Sequence, residues 1–306
     1  MDINTVVVTG ATGFIGGALT KKLLQQGKKV YAVDIDESKL EQLKQYGNVV
    51  PVKAYFEDYQ NMHNLIKDDI DVFYHFAWQG VFGEAFKDYE LQLSNAKYTC
   101  DAICVATRLN CKKFVFAGTV NEYEIKKYLD KEYFEPRFTC VYSTSKLASE
   151  MICKTLAFNN GIEYNAGLVS MVYGEYNMSK MLPYVLIKHL VDNIRPKLVE
   201  GNNKYDLVYI DDVVNAFLAI GEKGLNMKSY YIGHRKLKTF KDIVIDIKDV
   251  LNPDMKLLFG EFKDTSDMDY SLIDLDALYN DTGFECQSDF KESILRTAEW
   301  VKTLEM

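Results

Sequence analysis

The sequence predicts an α/β protein, a doubly wound parallel sheet with helices on both faces. Three observations predict it. Over the first 170 residues, short apolar runs alternate with amphipathic stretches. Those runs lack the apolar–polar alternation of a half-exposed strand, as buried parallel strands do. The first of them ends in a glycine-rich turn that opens directly into a helical pattern. Strand–helix alternation of this kind implies right-handed crossovers.

In order, NTVVVTG reads as a β-branched first strand, and FIGGALTKKLLQQG as a helix closed by Gly27. KVYAVDI, VVPVK, DVFYHFA, KKFVFAGT and EYNAGLVS read as strands two to six. Long helical patterns fall at about 84–108 and 143–160. Beyond residue 175 the rhythm loosens: a helix at about 180–193, strand-like YDLVYI, a helix at 211–223, a strand in SYYIG and a helix at 239–250. Helical segments near 274–280 and 289–304 follow. There is no repeat, low-complexity linker or charge block. The expected organisation is a nucleotide-binding domain over 1–172, with segments about 205–232 returning to it, and a smaller substrate lobe over 173–306 packed against it.

Composition narrows the function. The 306 residues are 48% hydrophobic and 26% charged, as in an ordinary globular protein. A net charge of −8 argues against nucleic-acid binding, which needs clustered cations. No run approaches the roughly 18 apolar residues of a membrane span, and MDINTVVVTG lacks a secretory layout. A cytoplasmic protein with no membrane partner is expected. Six cysteines form no C-x-x-C pair, and His63, His75, His189 and His234 show no ligand spacing. No metal is expected.

The turn TGATGFIG places glycines at 10, 13 and 16. Gly10 permits the tight turn, Gly13 lets backbone approach a pyrophosphate, and Gly16 allows close helix–strand packing. The helix N-terminus offers N–H groups and partial positive charge to the phosphates. Asp34 ends the second strand, where a carboxylate accepts hydrogen bonds from the adenosine ribose and repels a 2′-phosphate. NAD is therefore expected rather than NADP.

A tyrosine and a lysine one helical turn apart can work as a proton-transfer device, but four pairs have this spacing: Tyr123/Lys127, Tyr142/Lys146, Tyr176/Lys180 and Tyr184/Lys188. Spacing does not choose among them. With the glycine turn, His75-Phe76-Ala77 ending the fourth strand, and CVYSTSK after the fifth, the chain resembles the extended short-chain dehydrogenases from Val6 to roughly Trp300. It is closest in pattern to the nucleotide-sugar epimerases and 4-ketoreductases. YIDDV (209–213) and TAEWVK (297–302) are similar to further segments of that family.

The resemblance implies a Rossmann-like fold with NAD as cofactor and a nucleotide sugar as the small-molecule substrate. It makes Tyr142 and Lys146 the acid/base pair and Thr119 their hydroxyl partner. Tyr123/Lys127 then reads as an exposed helix start beside Glu124 and Lys126. Implied cofactor contacts are Gly10, Gly13, Phe14, Ile15, Gly16, Asp34, Phe56, Phe76, Ala77, Asn95, Tyr142, Lys146 and Ser170. Implied substrate contacts are Trp78, Val120, Asn121 and Met171. The Lys146 ammonium is expected to favour the Tyr142 phenolate and to reach the nicotinamide ribose.

The dehydratases of that family carry Thr-Asp-Glu where this chain has Thr119-Val120-Asn121, so elimination of water is not expected. The implied activity is an NAD-dependent nucleotide-sugar 4-epimerase acting through a transient 4-keto sugar. The alternatives are a 4-ketoreductase using NADH or NADPH, and a non-catalytic dinucleotide-binding protein. The usual mark of the last is a missing Tyr or Lys, and both are present. The helices at 84–108 and 143–160 resemble a four-helix dimer interface, so a homodimer is expected. The chain departs from the pattern at Met171, where Asn is usual, at Tyr55 in the adenine pocket, and at Tyr205, where a pyrophosphate-gripping arginine is usual. A second arginine is missing from EFKDTSD. Lys180, Lys204, His234, Arg235 and Lys236 are the cations left for that task.

Overall fold

The structure, a computed structural model, describes residues 1–129, 135–137, 139–177, 179, 181–264 and 268–304. Strand β1 (Thr5–Thr9) leads through a glycine turn into helix α1 (Phe14–Gln25) and strand β2 (Lys29–Asp34). Helix α2 (Glu37–Gln42), β3 (Val49–Lys53), β4 (Val72–His75), α3 (Tyr89–Arg108) and β5 (Lys113–Thr119) follow. Then come α4 (Glu122–Leu129), α5 (Cys140–Asn160), β6 (Glu163–Val169) and β7 (Met171–Tyr173). The rest is α6 (Leu182–Val191), β8 (Lys204–Tyr205), β9 (Leu207–Tyr209), α7 (Ile210–Lys223), β10 (Ser229–Ile232), β11 (Lys238–Thr239), α8 (Phe240–Leu251), α9 (Ala277–Thr282) and α10 (Phe290–Thr303).

Seven strands form one parallel sheet in the order β10-β6-β5-β4-β1-β2-β3. The chain reverses direction of sheet growth between β1 and β4, which is where open α/β sheets hold ligands. Side chains alternate across the sheet. Val6 and Val8 enter a core with Leu19 and Leu23 of α1 and Phe217 of α7, while Val7 enters the opposite core with Phe73, Phe114 and Ile103 of α3. Both faces are thus apolar, which explains the uninterrupted β-branched runs.

The latter part adds two short pairs, β7 with β9 in parallel and β8 with β11 antiparallel. YDLVYI is therefore two strands rather than one, divided at Asp206. The Asp206 carboxylate, between the two strands, is buried and accepts hydrogen bonds from the Tyr231 hydroxyl and from His234. Among the described residues no helix is long and apolar enough to cross a membrane, and no three of His, Cys, Asp and Glu gather as a metal site.

Candidate active site

Because all seven strands run in parallel, their carboxyl ends share one edge, and the residues that follow them meet there. After β1, Gly10 has φ +67°, and a Cβ on it would meet the Ala77 nitrogen at 2.9 Å. A Cβ on Gly16 would run into the Gly10 carbonyl. The Gly13 N–H closes the turn on Gly10 O at 3.0 Å, and α1 starts at once with no side-chain cap. This is a backbone cradle that only glycines leave open, and it fits a pyrophosphate. Asp34 stands beside it at the end of β2. Its two oxygens accept from the N–H groups of Thr12 (2.9 Å) and Ile35 (2.7 Å).

Several residues implied as cofactor contacts build the walls of this edge. Partly buried Phe76 packs edge-on against Phe217, ring centroids 4.7 Å apart, on the border of the core. Asn95 accepts from the Gln79 N–H (3.0 Å) and donates to the Gln79 carbonyl (2.8 Å), so its amide clamps the loop after β4. The expected cofactor contact of Asn95 thus falls on a side chain already engaged by the backbone of that loop, with one further donor and one further acceptor site left on its amide. Phe56 stacks on Tyr98 at 4.9 Å beyond the end of β3. His75 is held between the hydroxyls of Thr9 (2.8 Å) and Thr99 (3.2 Å). Burial, helped by the charge on Lys146, lowers its pKa to about 3, so it stays neutral.

Thr119 ends β5, and α5 carries Tyr142 and Lys146 past it one turn apart. The Tyr142 hydroxyl lies close enough to the Thr119 side chain to be acted on by it. Its ring is 9% exposed, set edge-on to Trp78 (6.0 Å) and Phe86 (5.0 Å). Lys146 is 4% exposed and donates to the Ala117 carbonyl at 2.7 Å. Its ammonium lies 3.8 Å from the centroid of Trp78 and 4.7 Å from that of Phe116.

Electrostatics here differ from the expectation. Burial, and then the nearby Glu122, push the Tyr142 phenol well above its ordinary value, with the Thr119 side chain opposing them. Burial lowers Lys146 to about 7, against the pull of Glu122. In this arrangement the lysine does not hold the phenol down, because desolvation dominates both groups.

The other Tyr–Lys pairs sit elsewhere. Tyr176 and Tyr184 lie against Trp300, Lys188 pairs with Asp192, and Lys180 is outside the described residues. Tyr123/Lys127 does not open an exposed helix as expected. Glu122 and Glu124 of that first turn are fully buried, because each finds a partner inside. Glu124 accepts two hydrogen bonds from Arg137 (2.6 and 2.5 Å) and one from Tyr128 (2.7 Å).

A sequence model of the NAD dependent epimerase/dehydratase family matches residues 6–233. The chain belongs to that family. Two relatives within reach of its sequence are 24% identical to it. One is an uncharacterized protein of Methanocaldococcus jannaschii, matched over 98% of this chain and 97% of its own length. The other is a trifunctional UDP-glucose 4,6-dehydratase/UDP-4-keto-6-deoxy-D-glucose 3,5-epimerase/UDP-4-keto-L-rhamnose-reductase of Arabidopsis thaliana, matched over 96% of this chain. This chain spans only 46% of that larger protein. In fold it is similar to the UDP-N-acetylglucosamine 4-epimerase of Methanobrevibacter ruminantium (TM-score 0.81, 21% identity, 99% of each chain). It is also similar to the UDP-glucuronic acid 4-epimerase of Bacillus cereus in complex with NAD (TM-score 0.78, 20% identity, 99% of this chain and 100% of that one).

In this epimerase/dehydratase-family chain, the residues implied as substrate contacts spread around the same edge. Trp78 is fixed by its indole N–H on Gln92 (2.8 Å). Val120 is buried against Tyr231 and Ile273 of the latter part of the chain. Asn121 donates its N–H to the Thr119 hydroxyl (3.4 Å), while Ser170 and Met171 lead from β6 into β7. Of the candidate pyrophosphate cations, Arg235 is paired with Asp276 and Glu285, and His234 with Asp206. Lys204 donates to the Leu237 carbonyl. Residues 265–267 of EFKDTSD lie outside the described residues. Arg137, which sequence reasoning passed over, comes close enough to Tyr205 for its charge to act on that phenol. Glu122 and Glu150 were also passed over. Their signal was positional: one lies three residues after Thr119, the other four after Lys146 on the same helix face.

Proposed function

We propose that this protein is an NAD-dependent nucleotide-sugar 4-epimerase, with UDP sugars as the first class to test. The observation that carries this reading is the placement of Tyr142 beside Thr119, with Lys146 one turn along the same helix, on the sheet edge that also carries the glycine cradle. When bound, NAD would accept hydride from the sugar C4 and return it.

Gly10, Gly13, Gly16 and the start of α1 would hold the pyrophosphate, and Asp34 the adenosine ribose. Thr119 would hydrogen-bond the substrate's 4-hydroxyl and keep it against Tyr142. Tyr142 would remove the hydroxyl proton and give it back after the keto sugar has turned over. Lys146 would stabilise the phenolate once ligands replace the rings now packed on it. Val120 and Asn121 supply no acid pair for elimination, and Glu122 is turned inward onto the Thr119 N–H (2.8 Å). This supports epimerisation over dehydration. Exposed Leu93 on α3, with Met151, Ile152 and Phe158 on α5, supports a homodimer built on those helices.

The test is to release and identify the dinucleotide from denatured protein, then incubate folded protein with UDP-glucose, UDP-glucuronic acid and UDP-N-acetylglucosamine without added cofactor. Interconversion of 4-epimers is expected. Turnover only with added NADH or NADPH would select the 4-ketoreductase instead.

A further inference from the structure

Two glutamates meet inside the protein just behind the Thr119–Tyr142 pair. Glu122 opens α4 and Glu150 lies in the middle of α5, which packs against it; they are 0% and 2% exposed. Glu122 Oε1 accepts the Thr119 backbone N–H at 2.8 Å. Glu150 Oε1 accepts from Lys154 Nζ and Ser229 Oγ, both at 2.7 Å. Among the described residues, the remaining oxygen of each, Oε2, has no donor. Gly118 makes the room: a Cβ there would stand 2.7 Å from Glu122 Oε1.

Two carboxylates that act on each other in a dry interior, each with an oxygen that no described donor reaches, cannot both stay charged. One proton between them satisfies both. We propose that Glu122 and Glu150 share a single buried proton, and that through the Thr119 amide and the charge it withholds from Tyr142, this pair sets the pH range in which Tyr142 exchanges its own proton. Glu122 is in this sense a positioning residue, and its role in turnover rests on the activity proposed above.

The surrounding charges agree. Burial, then the charge of Glu150, raises Glu122 well above the carboxylate range. Burial also acts on Glu150, but hydrogen bonds from Glu122 and Lys154, with the Lys154 charge, outweigh it and lower that group. The proton therefore sits on Glu122, and the charge on Glu150. Facing the pair are Lys146, Tyr142 and Lys154 of α5, Thr119 of β5, Tyr164 of β6, Ser229 of β10 and Tyr123 of α4. Loss of the shared proton at alkaline pH would place a negative charge beside Tyr142 and hold its phenol protonated to higher pH.

Infrared spectra of the whole protein at neutral pH test the proton directly. The C=O stretch of a buried protonated carboxyl is expected in the wild type and absent in Glu122→Gln. In Glu150→Gln, where the neighbouring charge is gone, the band should vanish at lower pH than in the wild type. A wild-type spectrum without the band, or a band unchanged in Glu122→Gln, overturns the shared proton. Thermal unfolding gives a second reading. The folded protein keeps this proton where the unfolded chain has lost it, so stability falls as pH rises above the ordinary glutamate range (about 4.3). Glu122→Gln should remove that fall. Neither measurement needs a substrate, so both stand apart from the proposed activity.

For turnover, the rising limb of kcat against pH should move to lower pH in Glu122→Gln. An unmoved limb overturns the link to Tyr142 while leaving the proton in place. Absence of turnover in the wild type counts against the activity, and against the pair's part in it.

Discussion

The ammonium of Lys146 rests on the face of Trp78, 3.8 Å from the ring centroid, while the edge of the same indole meets the Tyr142 ring at 6.0 Å. Trp78 therefore stands against both members of the Tyr–Lys pair. A desolvated cation on an indole face is held by about 2 kcal/mol. For Lys146 to reach a ribose, the ring must yield part of that contact. In a Trp300→Phe background, which leaves Trp78 as the sole tryptophan of the two, adding NAD should shift or quench the indole emission. Emission that does not change at saturating NAD would mean the cofactor seats without disturbing this contact.

Lys146 also makes stability depend on pH. Its folded pKa is near 7 because of burial, while a lysine in the unfolded chain titrates near 10.4. Between those values the unfolded chain binds a proton that the folded protein does not, so stability rises with pH across that window. Below about pH 7 both forms are protonated and the slope ends. Lys146→Met should unfold at a higher temperature than the wild type at pH 7, with the gap closing by about pH 10. Parallel melting curves over that range would refute the buried-lysine assignment.

Replacing Tyr142 by Phe removes the hydroxyl and keeps the ring against Trp78 and Phe86. Turnover should drop by roughly 10²–10⁴-fold, the usual worth of a positioned acid/base. NAD affinity, measured by titration, should change little. Residual activity near the wild-type level would move the proton-transfer role to another residue.

Gly16→Ala drives a methyl group into the Gly10 carbonyl. The turn must open or the helix must shift, at a cost of about 1–3 kcal/mol. Calorimetry should show weakened NAD binding together with a lowered melting temperature. Gly17→Ala is the control in the same helix, since a Cβ there meets nothing closer than 3.4 Å.

Arg137→Ala leaves the Glu124 carboxylate buried with only Tyr128 as a described donor. Removing one partner of a buried pair costs about 3–5 kcal/mol. Glu124→Gln in the same chain should recover much of the loss by discharging the orphan. Denaturant unfolding of the two single variants and the double variant gives the coupling; strict additivity would show that the pair does not act as a unit.

The strand–helix order and the glycine turn could be read from the chain alone, whereas Tyr142 is singled out among four equally spaced pairs only by the family resemblance. In a parallel sheet every strand's carboxyl end faces the same edge, so local patterns already decide which turns become neighbours. Helix limits were legible to within a few residues, and YDLVYI was misread only because a buried Asp206 breaks the run. What the chain could not reveal was which charges would meet. Glu122 and Glu124 look like the solvated start of a helix until α5 and Arg137 close over them. Trp78 shows nothing of its hold on Lys146, 68 positions away in sequence. Periodicity reports which face of one element is apolar. The pairing of buried polar groups is settled between elements, when desolvation makes every unpartnered charge costly, and only the tertiary structure decides it.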